Sequence, residues 1–391
     1  MAQNHSLRRV LILADESADW IVAGLRQLDR LALSLNEFQG EPLVISIFWA
    51  PHLDQSQRWV PKDERLTNVV FTTDVDRGSF DLVLGTRLFL YRNPVPQLME
   101  TSLAPLGLPP HDEKELWEIY SHHLETFPRS RDGTWEYITT AGQIGDVERR
   151  FLRGSGKSQD GFVSRYLNRP ISRLVTRLLL RFSTTPNAWT LLIFSIPLVA
   201  SLILLHGTYW SFLWGLVLFQ VFSVLDGCDG EIARAKFLES ERGRRLDDLC
   251  DILSNILLVV GLGFGLFRQA SLVGGSGWFY AIEGLAAAAL IGMNELLLST
   301  RKPGSGAARS TSLGDALYPR HQELVERSGI LRLGETFAYW VVQLTKRDVA
   351  LLGFVLLAAI GQPAWILHLL LAVTAISLAL ALKTFAQRSA P

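Results

Sequence analysis

Cysteine is scarce in this sequence, and a net charge is absent. The two cysteines, Cys228 and Cys250, both stand in apolar stretches. They provide neither a disulfide framework nor the CxxC spacing of a zinc site.

The 38 Lys and Arg residues are balanced by 38 Asp and Glu residues. A global basic field of the kind that marks nucleic-acid-binding proteins is therefore excluded, and we expect no nucleic acid among the partners.

The N-terminus lacks the long apolar run of a secretory signal. Its apolar stretch, Val10–Ala14, is short and is followed at once by Asp15. A signal peptide needs a longer apolar region than this. We therefore expect the first part of the chain to stay in the cytoplasm.

Residues 1–155 have the pattern of an α/β domain. Short runs rich in β-branched residues alternate with polar segments that have a helical period. A helix is predicted at Trp20–Leu35. The strand-like runs are Val10–Leu13, Leu43–Trp49, Val69–Thr72 and Asp81–Tyr91.

Long apolar runs are concentrated in residues 187–391, although 19% of all residues are charged. About 20 apolar residues are needed to cross the hydrocarbon core of a bilayer. The pattern predicts an all-α domain with six membrane-spanning helices, of which the fifth is short and can be extended by Val341–Leu344. The predicted ranges are roughly 188–206, 210–228, 250–267, 277–298, 349–361 and 364–382.

Basic residues cluster in alternate connections between these runs. By the positive-inside rule those connections face the cytoplasm, which places both termini on that side of the cell membrane. The basic connections contain Arg234, Lys236, Arg242, Arg244 and Arg245, and then Arg301, Lys302, Arg309, Arg320, Arg327, Arg332, Lys346 and Arg347.

Between the two halves, residues 156–186 are predicted to form a linker and an amphipathic helix. Arginines recur every four residues with leucines among them, which is typical of a helix that lies on a membrane surface. We expect the arginines to face anionic headgroups. They are Arg165, Arg169, Arg173, Arg177 and Arg181.

Four aspartates stand at the ends of the second and third apolar runs. Asp226 and Asp229 are three residues apart, whereas Asp247 and Asp251 are four apart, so each pair shares one face of a helix. The short link predicts that the two helices are antiparallel neighbours, which brings the two pairs together at the membrane edge. An aspartate within a membrane span costs on the order of 3 kcal/mol, so the cluster needs compensation.

Either ion pairs or bound cations can compensate these carboxylates. Ion pairs with Arg234, Arg244 and Arg245 are the purely structural interpretation. An all-carboxylate cluster without His or Cys favours Mg²⁺ or Mn²⁺ over zinc. Two such ions can clamp a diphosphate during an in-line displacement.

The residues around the aspartates also suit a large polyanion. Gly230, Ala233 and Gly243 leave room beside the helix backbones. Arg234 offers a planar fork that matches phosphate oxygens.

The segment that contains the first aspartate pair reads Asp226-Gly-Cys-Asp229-Gly230-Glu-Ile-Ala233-Arg234. It is followed, after eight, three and three intervening residues, by Gly243, Asp247 and Asp251. This pattern resembles the motif of the CDP-alcohol phosphotransferases. The resemblance extends over roughly residues 160–385 and includes Thr185-Pro-Asn187. It implies a six-helix membrane fold, a CDP-alcohol donor, an alcohol acceptor and CMP as the leaving group.

The resemblance also implies the roles of individual residues. Asp226, Asp229, Asp247 and Asp251 would be metal ligands, and Asp251 would also be the general base. The residues expected to bind CDP are Asp226, Gly230, Ala233, Arg234, Gly243 and Asn187.

Basic residues near two other helix ends are candidates for binding the acceptor. Arg301, Lys302 and Arg347 can attract a polar or phosphorylated alcohol, or they can simply set the membrane topology. The donor is either a lipid CDP-alcohol or a polar one such as an inositol derivative. We further expect contact with membrane lipids and a homodimer.

Two other functions use the same aspartates. Asp247-Asp248-Leu-Cys-Asp251 reads as DDxxD, the diphosphate-binding motif of prenyl transferases, and membrane aspartates can also form the ion site of a divalent cation transporter. Neither function explains the placement of Gly230, Arg234 and Gly243.

Three further glycines, Gly261, Gly263 and Gly265, are interpreted as helix-packing positions.

The N-terminal domain resembles the nucleotidyltransferase (Rossmann-like) domain that is fused to some members of this family. A Gly-rich nucleotide loop is expected after its first strand, but Asp15 and Glu16 occupy that place. Their charges would repel a triphosphate that glycines would admit. We therefore predict a cytidylyltransferase-like domain without cytidylyltransferase activity.

Overall fold

The computed structural model describes residues 9–37, 42–72, 80–91, 113–125, 134–154, 161–299 and 346–389. They divide into two compact units. One unit is built mainly from the residues up to Gly154, and the other mainly from the residues after it.

The N-terminal unit contains a parallel sheet of four strands in the order β5-β4-β1-β6. In the central strand, Val10 lies opposite both Ile45 and Leu82. The helices and strands of this unit are β1 Arg9–Ala14, β2 Ile21–Val22, β3 Leu25–Arg26, α1 Gln27–Asn36, β4 Leu43–Trp49, β5 Val69–Thr72, β6 Leu82–Gly85, β7 Leu88–Leu90, α2 Glu113–Glu125, β8 Trp135–Tyr137 and α3 Ile144–Gly154.

The central strand is buried on both faces, which explains its continuous apolar sequence. Val10 and Ile12 pack in one core with leucines of α1. Leu11 and Leu13 pack in a second core with Leu124 of α2. The two-residue period of a strand thus distributes its side chains between the two layers of helices, and the prediction of an α/β unit is confirmed.

Two predicted elements of this unit differ from the structure. The predicted helix Trp20–Leu35 begins only at Gln27, because Ala23 and Gly24 both have positive φ angles and turn the chain into the small β2–β3 hairpin. The predicted strand Asp81–Tyr91 is interrupted after Gly85. Its second part, β7, leaves the main sheet and pairs with β8.

The C-terminal unit is helical. It begins with a wide helical turn of the π type at Ser164–Asn168. Its α-helices are α4 Arg169–Leu179, α5 Pro186–Ile193, α6 Ser195–Leu204, α7 Tyr209–Ala235, α8 Glu241–Leu272, α9 Trp278–Ser299, α10 Arg347–Ala359 and α11 Pro363–Ser389.

Three stretches of the described chain are long and apolar enough to cross a membrane, namely Pro186–Leu204, Tyr209–Ala235 and Glu241–Leu272. Pro363–Ala379 is a shorter apolar helix. These features are those of an integral membrane protein. The predicted extension of the fifth span by residues 341–344 lies outside the described residues.

The first of these stretches consists of two helices, α5 and α6, which meet at Phe194. Pro197 follows closely, and proline has no N–H for the carbonyl four residues earlier. The missing hydrogen bond falls on Ile193, the last residue of α5, and explains why the helix is interrupted there.

Glycines allow helices of this unit to approach one another closely. A Cβ on Gly263 in α8 would lie 2.7 Å from the Tyr280 carbonyl oxygen, and one on Gly284 in α9 would lie 2.7 Å from the Val259 carbonyl oxygen. Gly261 packs in the same way against Ser201 of α6. The interpretation of these α8 glycines as packing positions is confirmed.

The amphipathic segment before the first span presents apolar side chains outward. Leu167, Ile171, Leu174 and Leu178 are exposed. Its buried side is polar and consists of Asn168, Arg169, Ser172 and Thr176. The prediction that the arginines of this segment face headgroups is therefore wrong for Arg169, since its guanidinium is paired with buried Glu231.

Replacing Gly284 with Ala tests the close approach of α8 and α9. The added methyl group should meet the Val259 carbonyl and lower the free energy of unfolding by about 1–3 kcal/mol, the usual cost of overpacking. Thermal unfolding in detergent would measure the loss. The matched control is Gly292→Ala in the same helix, where a Cβ meets nothing within 4 Å and no destabilisation is expected. Equal melting temperatures for the two variants would contradict the packing.

Candidate active site

The motif lies on two helices joined by a short link. Residues from Asp226 to Arg234 all belong to the single helix α7, and α8 starts at Glu241. In the link, Phe237 has a φ of 54° and the N–H of Leu238 donates to the carbonyl of Ala233, 2.8 Å away. This left-handed turn ends α7 sharply. The chain then enters α8 within a few residues.

Ser240 caps the start of α8. Its hydroxyl oxygen accepts a hydrogen bond from the backbone N–H of Gly243 at 3.0 Å. An N-cap serine satisfies one of the free N–H groups in the first turn of a helix. Gly243, a predicted CDP-binding residue, is thereby placed in the first turn of α8.

Three of the four motif aspartates converge. Carboxylate oxygens of Asp226 and Asp229 from α7 and of Asp247 from α8 all lie within 4.8 Å of one another. The Asp229 side chain is buried, and the other two are half-buried. An all-oxygen, all-anionic group of this size fits a hard divalent cation such as Mg²⁺ or Mn²⁺.

Two hydrogen bonds orient the Asp229 carboxylate. The hydroxyl of Thr190 in α5 donates to Asp229 Oδ2 at 2.7 Å, and the backbone N–H of Gly230 donates to Oδ1 at 2.5 Å. Thr190 is itself buried. Partners of this kind hold metal-binding side chains in position. The sequence pattern predicts no role for Thr190, although a hydroxyl on an apolar spanning helix is a usable signal.

Asp251 has a different partner. One carboxylate oxygen lies 2.5 Å from Nη1 of Arg347 in α10, and Nη2 of the same guanidinium donates to the Ser254 hydroxyl at 3.3 Å. Among the described residues, Asp251 is not a member of the group of carboxylates that lie within 4.8 Å. Arg347, predicted only to bind the acceptor, therefore lies beside the predicted general base.

The remaining charges at the start of α8 balance one another locally. Arg244 pairs with Glu241 at 2.7 Å and with Asp248 at 3.4 Å. Arg245 also pairs with Glu241, at 3.4 Å. Asp248, which lies outside the motif, thus contributes to charge balance on the surface of α8.

Two small-residue positions of the motif lie against polar side chains. A Cβ on Gly230 would be 3.0 Å from Nη1 of Arg234, and one on Gly243 would be 2.8 Å from Oδ1 of Asn187. The guanidinium and the amide therefore occupy the space that a larger side chain would fill. Both are groups that can bind phosphate or nucleotide oxygens. Ala233, also predicted to bind CDP, is half-buried in the same turn as Arg234.

Two predicted acceptor-binding residues, Arg301 and Lys302, lie outside the described residues.

In the N-terminal unit, the carboxyl end of β1 is occupied by the chain's own carboxylate. Asp15 accepts hydrogen bonds from the Ser17 N–H at 2.8 Å, from the Thr86 hydroxyl at 3.2 Å and from Arg87 Nε at 2.6 Å. Burial disfavours ionisation of the Asp15 carboxyl, but these hydrogen bonds outweigh it and hold the pKa below its usual value. Donors that could bind a phosphate at this sheet edge are thus already engaged.

A known protein family resembles the part of the chain that contains the aspartates. Residues 183–314 match the model of the CDP-alcohol phosphatidyltransferase family. Three similar proteins are named bifunctional IPC transferase and DIPP synthase. They are from Thermococcus kodakarensis (37% identical over 118 residues, 30% of this chain), Aquifex aeolicus (39% over 118 residues, 30% of this chain) and Rubrobacter xylanophilus (28% over 187 residues, 46% of this chain).

These matches cover only part of the relatives. The aligned region spans 26% of the Thermococcus and Aquifex proteins and 41% of the Rubrobacter protein. This chain therefore spans less than half the length of the relatives that it matches.

Replacing Thr190 with Val tests whether it orients Asp229. Valine keeps the shape but not the hydroxyl, so Mn²⁺ binding should weaken by about 10- to 100-fold, as is usual for a residue that orients a metal ligand. Electron paramagnetic resonance of free Mn²⁺ would measure the affinity. Thr190→Ser retains the hydroxyl and is the control. Equal Mn²⁺ affinity of the two variants would show that the hydrogen bond does not position the carboxylate.

Proposed function

Because residues 183–314 match the model of the CDP-alcohol phosphatidyltransferase family, we propose that this chain is a divalent-metal-dependent membrane enzyme. It transfers a substituted phosphate group from a CDP-alcohol to an acceptor alcohol and releases CMP. The observation that carries the proposal is the meeting of Asp226, Asp229 and Asp247 from two helices. The product would belong to phospholipid or inositol-phosphodiester synthesis.

The carboxylates of α7 and α8 would hold two Mg²⁺ or Mn²⁺ ions, with Asp251 completing the set of ligands. When bound, such ions supply positive charge against the diphosphate of the donor and stabilise both the attacking and the leaving oxygen. Thr190 keeps the Asp229 carboxylate oriented toward this position. Asn187 and Arg234 lie beside the two motif glycines and would bind the CDP portion.

The reaction balances with one proton transfer. The acceptor hydroxyl oxygen forms a bond to the phosphorus that carries the donor alcohol, and the bond from that phosphorus to the oxygen bridging to CMP breaks. The bridging oxygen leaves with CMP. Asp251 takes the proton of the acceptor hydroxyl, as a positioned general base.

Arg347 would serve the acceptor side of the same site. Its guanidinium lies beside the Asp251 carboxylate, so an acceptor that reaches the base also reaches a fixed positive charge. Such a fork suits a phosphorylated or otherwise polar alcohol. Arg301 and Lys302 would add to this positive charge.

The membrane topology belongs to the same proposal. Six spans would place both termini and the aspartates at the cytoplasmic face of the cell membrane, because the basic connections flank the aspartate-bearing helix ends. The protein would work as a homodimer among membrane lipids. Residues 187–391 would form the transferase domain, and residues 156–186 the linker and surface helix.

Residues 1–155 would form a nucleotidyltransferase-like domain that has lost cytidylyltransferase activity. The position where a Gly-rich loop would receive a triphosphate holds Asp15, whose carboxylate engages the Ser17 N–H and Arg87. A triphosphate that bound at this position would have to displace the Asp15 carboxylate from these partners. The domain would then serve regulation, assembly or substrate delivery.

Replacing Asp251 with Asn tests the transfer reaction and its base. With a panel of CDP-alcohols and acceptors at saturating Mn²⁺, CMP release by the variant should fall about 100- to 10,000-fold, the usual contribution of a general base. Asp248→Asn, whose carboxylate pairs with Arg244 outside the motif, is the control and should retain activity. Full turnover by the Asp251 variant would refute the base assignment. Metal flux through the wild-type protein without CMP release would favour a transporter.

The chain of residues 1–391 should not make a CDP-alcohol from CTP. Pyrophosphate release from CTP and a panel of phosphorylated alcohols should stay at the level of a protein-free blank, because the Asp15 carboxylate occupies the sheet edge. An Asp226→Asn variant, which should lose transfer but keep the N-terminal unit intact, separates the two activities. Steady pyrophosphate release by either protein would show that the N-terminal domain is active.

A further inference from the structure

Glu231 is a fully buried carboxylate that the transfer reaction does not use. It lies in α7, two residues after Asp229, and its side chain is 0% exposed. Successive helical residues are rotated by about 100°, so Glu231 points away from the side that carries Asp226 and Asp229. A carboxylate on the back of a metal-binding helix requires its own explanation.

Among the described residues, the hydrogen-bond partners of the Glu231 carboxylate come from the amphipathic segment. Arg169 Nη1 lies 3.2 Å from Oε1, the Ser172 hydroxyl donates to Oε1 at 3.0 Å, and the Thr176 hydroxyl donates to Oε2 at 2.7 Å. These three residues are also buried. Both oxygens of the carboxylate are therefore engaged by the polar side of α4.

The same face of α7 touches α4 at two further positions. A Cβ on Gly227 would lie 3.1 Å from Arg169 Nη1, so the guanidinium rests on the helix backbone immediately after Asp226. The thiol of Cys228 donates to the Ser172 carbonyl oxygen at 3.4 Å. Gly227, Cys228 and Glu231 thus form a docking face for α4, opposite the metal-binding side.

The amphipathic segment also contacts the helix that carries Arg347. The backbone N–H of Ser164 donates to a carboxylate oxygen of Asp348, at the start of α10. The neighbouring residue of α10, Arg347, is the partner of Asp251. The amphipathic segment therefore contacts both α7, which carries metal ligands, and α10, which carries the partner of the base.

Stability alone does not account for this buried pair. Removing two charges from water is costly, and well-packed apolar residues often stabilise a protein as much or more. What a hydrogen-bonded carboxylate adds is a defined register and rotation of the two helices. A fixed rotation of α7 is what three converging carboxylates need, since metal sites tolerate little displacement of their ligands.

We propose that Glu231 is a positioning residue, which locks the rotation of α7 against α4 through Arg169, Ser172 and Thr176 and so holds Asp226 and Asp229 in place for the metal. This rests on the metal site of the proposed function. The exposed leucines on the outer side of α4 face the lipid, so the position of that helix in the membrane surface fixes the metal-binding face of α7.

The experiment compares Glu231→Gln with Glu239→Gln in the full chain in detergent micelles. Glu239 is an exposed carboxylate in the link between α7 and α8 and is the matched control. Mn²⁺ affinity is measured by electron paramagnetic resonance, well below the melting temperature. Glu231→Gln should bind Mn²⁺ about 10- to 100-fold more weakly, as for residues that orient ligands, whereas Glu239→Gln should match the wild type.

A second pair of variants covers the case in which Glu231→Gln does not give monodisperse protein. Thr176→Val removes one hydrogen bond to Glu231, and Thr176→Ser keeps it. The valine variant should bind Mn²⁺ more weakly than the serine variant. Equal affinities in this pair, or wild-type affinity with only a lowered melting temperature in monodisperse Glu231→Gln, would overturn the proposal.

The readout separates this proposal from the transferase proposal. Weaker Mn²⁺ binding by Glu231→Gln, with no CMP release by the wild type from any CDP-alcohol, supports the positioning role and rejects the transferase. CMP release by the wild type, together with unchanged Mn²⁺ binding by Glu231→Gln, supports the transferase and rejects the positioning role. A wild-type protein that binds no Mn²⁺ overturns both.

Discussion

Mutual repulsion of carboxylates in a membrane setting is the constraint on which the helical unit depends. Asp226, Asp229 and Asp247 lie within 4.8 Å of one another at the ends of apolar helices, where charges interact strongly. The negative charge of the three carboxylates needs a nearby positive charge to compensate it. It also needs a rigid frame, because repulsion between the carboxylates would otherwise separate α7 from α8. Much of the surrounding structure provides that frame.

The frame is built from close contacts on every side of the two helices. The sharp turn at Phe237 and the Ser240 cap keep the link between α7 and α8 short. Thr190 of α5 orients Asp229 from one side. Glycines let α8 approach its neighbours, Gly263 against α9 for example. On the back of α7, buried Glu231 binds α4, whose outer side is apolar.

In the N-terminal unit, the residue that follows the central strand occupies the carboxyl end of that strand with its own side chain. Its parallel sheet has an apolar central strand that is covered by helices on both faces. Ligands of such folds bind at the carboxyl ends of the strands. At that end of β1, Asp15 accepts hydrogen bonds from the Ser17 N–H and from Arg87, so these donors are engaged within the chain.

The sequence by itself determined the helices and strands that follow from local periodicity. Spacings of three and four residues placed each aspartate pair on one helix face, and apolar runs predicted β1, β4 and β5 nearly residue for residue. The short link also predicted that the aspartate-bearing faces meet, but only the tertiary structure decided which other faces meet. Thr190 and Asp229 are 39 residues apart, and Arg169 and Glu231 are 62 apart. A period shows which side of a helix is buried, but the neighbour on that side depends on how all the helices pack. For this reason Arg169, expected to face headgroups, pairs instead with Glu231, and Asp251 lies beside Arg347.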